Sequence, residues 1–165
     1  MTRLTLQADL AKLDAAPQLE PLELATLTMY DVPALASLSV VAYEMPQTAE
    51  SLFEASDELR MAFDGAFGTP RDDSFVGAWL DGQLVGAIMC VLDPPWGDAP
   101  RGPYVTELMV DPEFRRQGIA TALIGELGAR AGEWGYDSLT LHLDMRRSPG
   151  AYGLYRDLGF TELED

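Results

Sequence analysis

Apolar and polar positions along this 165-residue chain fall into stretches of strand alternation and stretches of helical spacing. The clearest case is Val105 to Ala131, VTELMVDPEFRRQGIATALIGELGARA. It opens on the β-formers Val105-Thr106-Glu107-Leu108-Met109-Val110. Asp111-Pro112 ends that run, because proline has no N–H to continue a ladder. Apolar residues then recur at 119, 120, 123, 124, 127 and 131, the spacing of one helix face. The stretch predicts a strand, a short basic glycine loop and a helix.

The rest of the chain follows the same logic. Residues 1–19 read as an appendage to a domain of residues 20–165: Thr2 to Gln7 alternates like a strand, Asp9 to Ala16 has room for one or two helical turns, and Pro17 stops them. Glu20 to Met29 predicts the first core strand, with Leu22, Leu24 and Leu27 apolar. Asp31 is placed to cap a helix with Pro33 just inside it, running to about Tyr43 before Met45-Pro46. Thr48 is placed to cap a second helix that ends near Phe63. Ser74 to Leu80 and Gln83 to Leu92 read as two strands joined by the turn pair Asp81-Gly82. Asp93 to Pro103 is rich in Pro and Gly and predicts a loop. Ser138 to Leu143 alternates as a strand, Ala151 to Leu158 predicts a short helix closed by Gly159, and Phe160 to Asp165 begins another strand.

Composition narrows the setting. One cysteine, Cys90, excludes an internal disulfide framework and fits a reducing, cytoplasmic compartment. It lies in an apolar run, where a buried core thiol is expected rather than a nucleophile. Apolar runs fall short of the ~20 residues that a membrane helix needs, and the N-terminus lacks a charged-then-apolar signal pattern. The formal net charge is −16, from 27 acidic and 11 basic residues. Such a field repels nucleic acid and anionic membrane and attracts a cationic substrate; solubility alone would also account for it. No metal ligand set is assigned.

The loop between strand and helix carries the candidate chemistry. A helix N-terminus offers unpaired N–H groups and the positive end of a dipole, so an anion belongs there. Gly118 allows close backbone approach. Neither G-x-G-x-x-G nor G-x-x-x-x-G-K-[ST] is present, so the usual dinucleotide and nucleoside triphosphate fingerprints fail. Instead Arg115-Arg116-Gln117-Gly118-Ile119-Ala120, which carries R-x-x-G-x-A after a Glu-Leu-Met-Val strand, resembles the pyrophosphate loop of the GNAT acyltransferase superfamily. A second match stands about 35 residues on: Ala151-Tyr152-Gly153-Leu154-Tyr155 followed by Gly159-Phe160 resembles the A-x-x-L-Y-x-x-x-G-F ending of that family. The resemblance covers roughly residues 20 to 162. Two departures stand out: Ser148 occupies a position where the family often has Asn, and the sequence stops about one hairpin strand early. Thr2 to Gln7 offers a substitute strand, from the same chain or from a partner copy in a homodimer.

The resemblance implies an α/β fold with a mixed, mainly antiparallel sheet flanked by helices. It implies acetyl-CoA as co-substrate, held at Arg115, Arg116, Gln117, Gly118, Ile119 and Ala120, at Leu108, Met109 and Val110 along the strand, and at Ser148. Its activity would be acetyl transfer to a primary amine of a small molecule or peptide by direct attack in a ternary complex. An alkylamine has a pKa near ~10.4, so holding it neutral at pH 7 costs roughly 4.6 kcal/mol. A base must take that proton. Glu107 and His142, the one histidine, are the two candidates. A backbone N–H at Leu108 would meet the charge that builds on the thioester oxygen. Tyr155 matches the family tyrosine that serves the departing sulfur; packing alone is the other reading. A coenzyme-A-binding regulatory or interaction protein without turnover, and a longer-chain acyltransferase with room at Met109 and Cys90, are the alternatives. Val40 to Met61 and the Trp96 loop are expected to shape the acceptor site.

Overall fold

Seven strands among the described residues make one sheet, in the spatial order Glu23–Thr26, Phe75–Leu80, Gln83–Val91, Tyr104–Val110, Ser138–Asp144, Arg3–Asp9, Thr161–Glu162. The computed structural model describes residues 3–13, 21–92, 102–144 and 151–163. In chain order the elements are β1 (Arg3–Asp9), β2 (Glu23–Thr26), α1 (Val32–Ala42), α2 (Ala49–Phe63), β3 (Phe75–Leu80), β4 (Gln83–Val91), β5 (Tyr104–Val110), α3 (Ile119–Glu133), β6 (Ser138–Asp144), α4 (Ala151–Leu158) and β7 (Thr161–Glu162). Every neighbouring pair is antiparallel except β5 and β6. This is the mixed, mainly antiparallel sheet flanked by helices that the resemblance implied.

Alternation along the strands sorts the core into two layers. Val105, Leu139, Leu141 and Leu143 pack with Ile119, Leu123, Leu127, Tyr155 and Phe160, on the face covered by α3 and α4. Ala87, Met89, Tyr104 and Met109 pack with Leu35, Leu38, Ala55 and Leu59, on the face covered by α1 and α2. The close seat of α3 depends on Gly86 in β4. A Cβ there would stand 2.7 Å from Ile119 Cγ2 and 3.3 Å from the Met109 carbonyl.

Local signals place most boundaries. Thr48 Oγ1 accepts from the Ser51 N–H at 3.1 Å and starts α2. The β3–β4 hairpin turns at Asp81 and Gly82. The start of α1 differs from expectation. A 3-10 turn, Met29–Asp31, precedes it, and Thr28 is that turn's cap. Asp31 stands at the N-cap of α1 with Pro33 just inside, as expected, but it aims its carboxylate back at the Thr28 N–H, 2.8 Å away, in a capping box, and gives α1 no side-chain bond. This turn shortens the expected first strand to Glu23–Thr26. The turns expected over Asp9 to Ala16 contract to a 3-10 turn, Leu10–Lys12, capped by Asp9.

The strand expected at Thr2 to Gln7 is observed as β1, and it lies inside the sheet. It pairs along its whole length with β6, from Arg3↔Asp144 to Asp9↔Ser138. On its other edge it pairs with β7 through Leu6↔Glu162. Leu6 and Ala8 are buried in the α3 and α4 layer. The strand beside β6 thus comes from the same chain, and its Leu6 is fully enclosed. No helix among the described residues is long and apolar enough to cross a membrane.

Candidate active site

β5 and β6 pair side by side only at Tyr104↔Thr140 and Val105↔Leu141. Beyond that point, among the described residues, β5 keeps its ladder with β4 and β6 keeps its ladder with β1. The sheet is thus split along the C-terminal half of β5. One residue of β5 is also extra: Met89 is opposite Glu107 and Cys90 is opposite Val105, so Thr106 forms a bulge. Its hydroxyl donates to the Met89 carbonyl at 3.3 Å.

The register decides which backbone groups face the split. Asp111 N–H donates to the Val85 carbonyl on β4. Antiparallel ladders alternate, so Glu107 and Met109 also direct their N–H and C=O groups to β4. Leu108 and Val110 direct theirs the other way, into the split. Met109, expected among the coenzyme contacts, therefore has its backbone in the β4 ladder and its side chain buried under α1 and α2. Leu108 and Val110 are the β5 residues that an added ligand strand can reach.

The split runs down to the glycine loop. Arg116 and Gly118 both adopt left-handed backbone, with φ of 63 and 85. Gly118 is the N-cap of α3, and Ala122 N–H bonds its carbonyl at 2.9 Å. The N–H groups of Ile119, Ala120 and Thr121 come before the first intrahelical bond, so the helix itself supplies them no acceptor. Left-handed residues so close together curl the backbone into a concavity of N–H groups that suits a phosphate. Arg115 behaves differently from the other loop residues. Its guanidinium donates to the Ala42 carbonyl at 2.9 Å and to the Val110 carbonyl at 3.3 Å. Arg116, also exposed, is the other cation of the loop.

Both candidate bases stand on the α1 and α2 face of the sheet. Glu107 flanks the split and accepts a hydrogen bond from the Tyr43 hydroxyl, at the end of α1. His142 alternates with the buried Leu141 and Leu143 and so points the opposite way from them. Its ring lies edge-on to Tyr104, with centroids 5.1 Å apart. Thr5 and Gln7 of β1 share this face, opposite His142 and Thr140, and Gln7 Nε2 donates to Thr140 Oγ1 at 3.0 Å. Sequence reasoning singled out neither Tyr43, sixty-four residues from Glu107, nor Gln7. No local pattern marks either residue.

Tyr155 lies on the other face of the sheet, 8 % exposed, edge-on to Phe160 at 5.6 Å. Burial pushes its phenol up from 10.0 to about 12. Cys90 is fully enclosed, and burial likewise pushes its thiol up to about 12, which suits a core residue and not a nucleophile. Ser148 and the Trp96 loop lie outside the described residues.

Comparison with known proteins bears on the family and the fold. The model of the acetyltransferase (GNAT) family matches residues 34–160. GCN5-related N-acetyltransferase 4, chloroplastic, of Arabidopsis thaliana is 41 % identical over 61 residues. That match covers 37 % of this chain and 21 % of the relative, so the chain spans about a fifth of that protein's length. A crystal structure of a Pyrococcus horikoshii OT3 protein is similar with a TM-score of 0.72 at 21 % identity, covering 87 % of this chain and 91 % of that one. An aminoglycoside antibiotic 6'-N-acetyltransferase from Acinetobacter baumannii gives 0.62 at 17 % identity, covering 87 % and 93 %. The ribosomal-protein-S18-alanine N-acetyltransferase from Escherichia coli gives 0.62 at 20 %, covering 87 % and 79 %. At these identities the structural likenesses speak for the fold.

Proposed function

The chain belongs to the acetyltransferase (GNAT) family, and from that premise we propose that it moves an acetyl group from acetyl-CoA to a primary amine by direct attack. The observation that carries this reading is the split between β5 and β6, which opens onto the glycine loop at one end and Glu107 along its flank. Leu108 and Val110 hold the coenzyme's amide arm as an added strand, and the N–H groups of residues 118 to 121 hold its diphosphate. Ser148 and the side chain of Arg116 are further contacts in this reading.

Acid and base work from opposite faces of the sheet. Glu107 takes the proton of the amine, directly or through one water, on the α1 and α2 face. His142 stands on the same face and orients or relays. Leu108 N–H meets the negative charge that builds on the thioester oxygen. Tyr155 approaches from the α3 and α4 face and gives the departing sulfur a hydrogen bond. Its raised pKa keeps the phenol protonated through the whole neutral range, so the donor is always loaded. The acceptor is cationic, drawn by the net charge of −16, and the setting is the reducing cytoplasm.

Purified protein supplied with acetyl-CoA and a panel of polyamines, aminoglycosides, amino acids and N-terminal peptides should release free thiol with at least one cationic amine. Its kcat/KM should fall as screening lengths shrink from ~10 Å to a few Å with added salt. Tight acetyl-CoA binding with no thiol released across the panel would favour a coenzyme-binding regulatory protein instead. A neutral or anionic preferred acceptor with a flat salt response would remove the charge argument.

A further inference from the structure

Arg115 lies within the coenzyme loop, yet its guanidinium reaches across to the end of α1. Nη2 donates to the carbonyl of Ala42, the last residue of that helix, and Nε to the carbonyl of Val110, the last residue of β5. A cation on a helix's final carbonyls is favourable both as a hydrogen-bond donor and against the helix dipole. Backbone bonds close the other carbonyls of this turn: Met45 N–H reaches Val40 at 2.9 Å and Glu44 N–H reaches Val41 at 3.3 Å. Glu44 takes the left-handed conformation, φ 54, to allow this. The next residue after Ala42 is Tyr43, and its hydroxyl donates to the carboxylate of Glu107.

These contacts form a closed ring: Glu107 along β5 to Val110, across to Arg115, on to Ala42, and through Tyr43 back to Glu107. We infer that Arg115 and Tyr43 are positioning residues for Glu107, so that a loop residue aligned with the coenzyme motif serves the acceptor side of the site. The inference rests on Glu107 being the proton acceptor proposed above. A carboxylate has about four acceptor positions. The phenol holds one of them and fixes the rotamer. A hydrogen bond to the charged form also holds the group ionised. The phenol can do this only while the end of α1 stays docked on β5, which is the part Arg115 plays.

The test compares Arg115→Ala, Tyr43→Phe, their combination, Arg116→Ala and Glu107→Gln. It reads acetyl-CoA affinity by titration, acceptor kcat/KM against pH, and amide hydrogen exchange at residues 43 to 45. Arg115→Ala and Tyr43→Phe should each lower acceptor kcat/KM at neutral pH by about tenfold, and acetyl-CoA affinity should stay within about threefold. The double variant should lose little more than the worse single one, since both act on one link. The acidic limb of the pH profile should move upward in both, because the carboxylate has lost a donor to its charged form. Exchange at residues 43 to 45 should quicken in Arg115→Ala only.

If Arg115→Ala weakens acetyl-CoA binding as much as Arg116→Ala does and leaves the pH profile in place, Arg115 is a diphosphate ligand and the inference is wrong. If Glu107→Gln keeps the wild-type pH profile, the base assignment fails on its own account. Hydrogen exchange then decides the anchoring: faster exchange at 43 to 45 upholds it and unchanged exchange overturns it. Should Arg115→Ala fail to fold, Arg115→Lys keeps the charge but cannot present the same planar fork to two carbonyls, and it carries the same comparison.

Discussion

The two sides of the split are built in different ways. In the proposed reading the coenzyme side comes from one continuous stretch, Leu108 to Thr121, and works through backbone: N–H groups turned into the split from β5 and N–H groups at the start of α3. The proposed acceptor side is assembled from β1, the end of α1, β5 and β6, and would work through side chains: Gln7, Tyr43, Glu107 and His142. Backbone donors are oriented by secondary structure alone, so a short local sequence suffices to make them. Side-chain constellations need several elements docked in register first. Substitutions should therefore act sharply and separately on the coenzyme side, and in a coupled way on the acceptor side.

The largest effect is expected at Gly118. Its φ of 85 suits glycine, and its position caps α3 beside the expected diphosphate. Gly118→Glu adds bulk and a like charge there and should abolish acetyl-CoA binding in titration. A non-glycine residue in this backbone region costs on the order of 1 to 3 kcal/mol, so the protein should still fold. Wild-type affinity in a folded variant would break the comparison at its clearer end.

The proposed proton acceptor comes next. Glu107→Gln should lower kcat at neutral pH by about 10² to 10⁴, the range of a positioned base. The deficit should narrow near pH 9, where more of the amine is already neutral. His142→Ala should show a smaller loss of the same shape if His142 orients or relays. If Glu107→Gln keeps the whole pH profile and His142→Ala does not, the roles are reversed.

A smaller effect is expected at Tyr155. A thiol of pKa ~8.5 leaves without full protonation, so the phenol helps but is not indispensable. Tyr155→Phe keeps the ring against Phe160 and should lower kcat by tens-fold or more with acetyl-CoA affinity nearly unchanged. Tyr155→Ala should also lose about 3 kcal/mol of stability, since it empties a buried site. Wild-type turnover in Tyr155→Phe would make the tyrosine a packing residue.

The smallest effect concerns stability at high pH. The Tyr155 phenol rises from 10.0 to about 12 and the Cys90 thiol from 9.0 to about 12, both through burial. A raised pKa means that the folded state holds the proton more tightly than the unfolded chain. That contribution is complete below the unfolded values, at pH 9 and under, and is lost as pH climbs through about 12. Denaturant midpoints should accordingly decline from pH 9 upward. Cys90→Ala should be less stable at pH 7, because it opens a small void, but its decline with pH should be shallower. A decline of equal steepness in both proteins would remove Cys90 from the account.

Much of this protein was written in local sequence. The strand, loop and helix from Val105 onward, the turn at Asp81-Gly82 and the cap at Thr48 are each set by a few neighbouring residues, and they form where the spacing placed them. The proposed anion cradle was legible for the same reason, since a helix start after a glycine loop exposes N–H groups whatever packs around it. Tertiary structure decided the rest. The place of β1 between β6 and β7 follows from burying Leu6 and Ala8, which no alternation pattern can specify. That Leu108 and Val110, and not Met109, turn their backbone to the split follows from the β4 register and the bulge at Thr106. The turning of Arg115 away from the loop, and the bond from Tyr43 to Glu107, depend on the end of α1 docking against β5. Those contacts join residues far apart in the chain, and only packing brings them within reach.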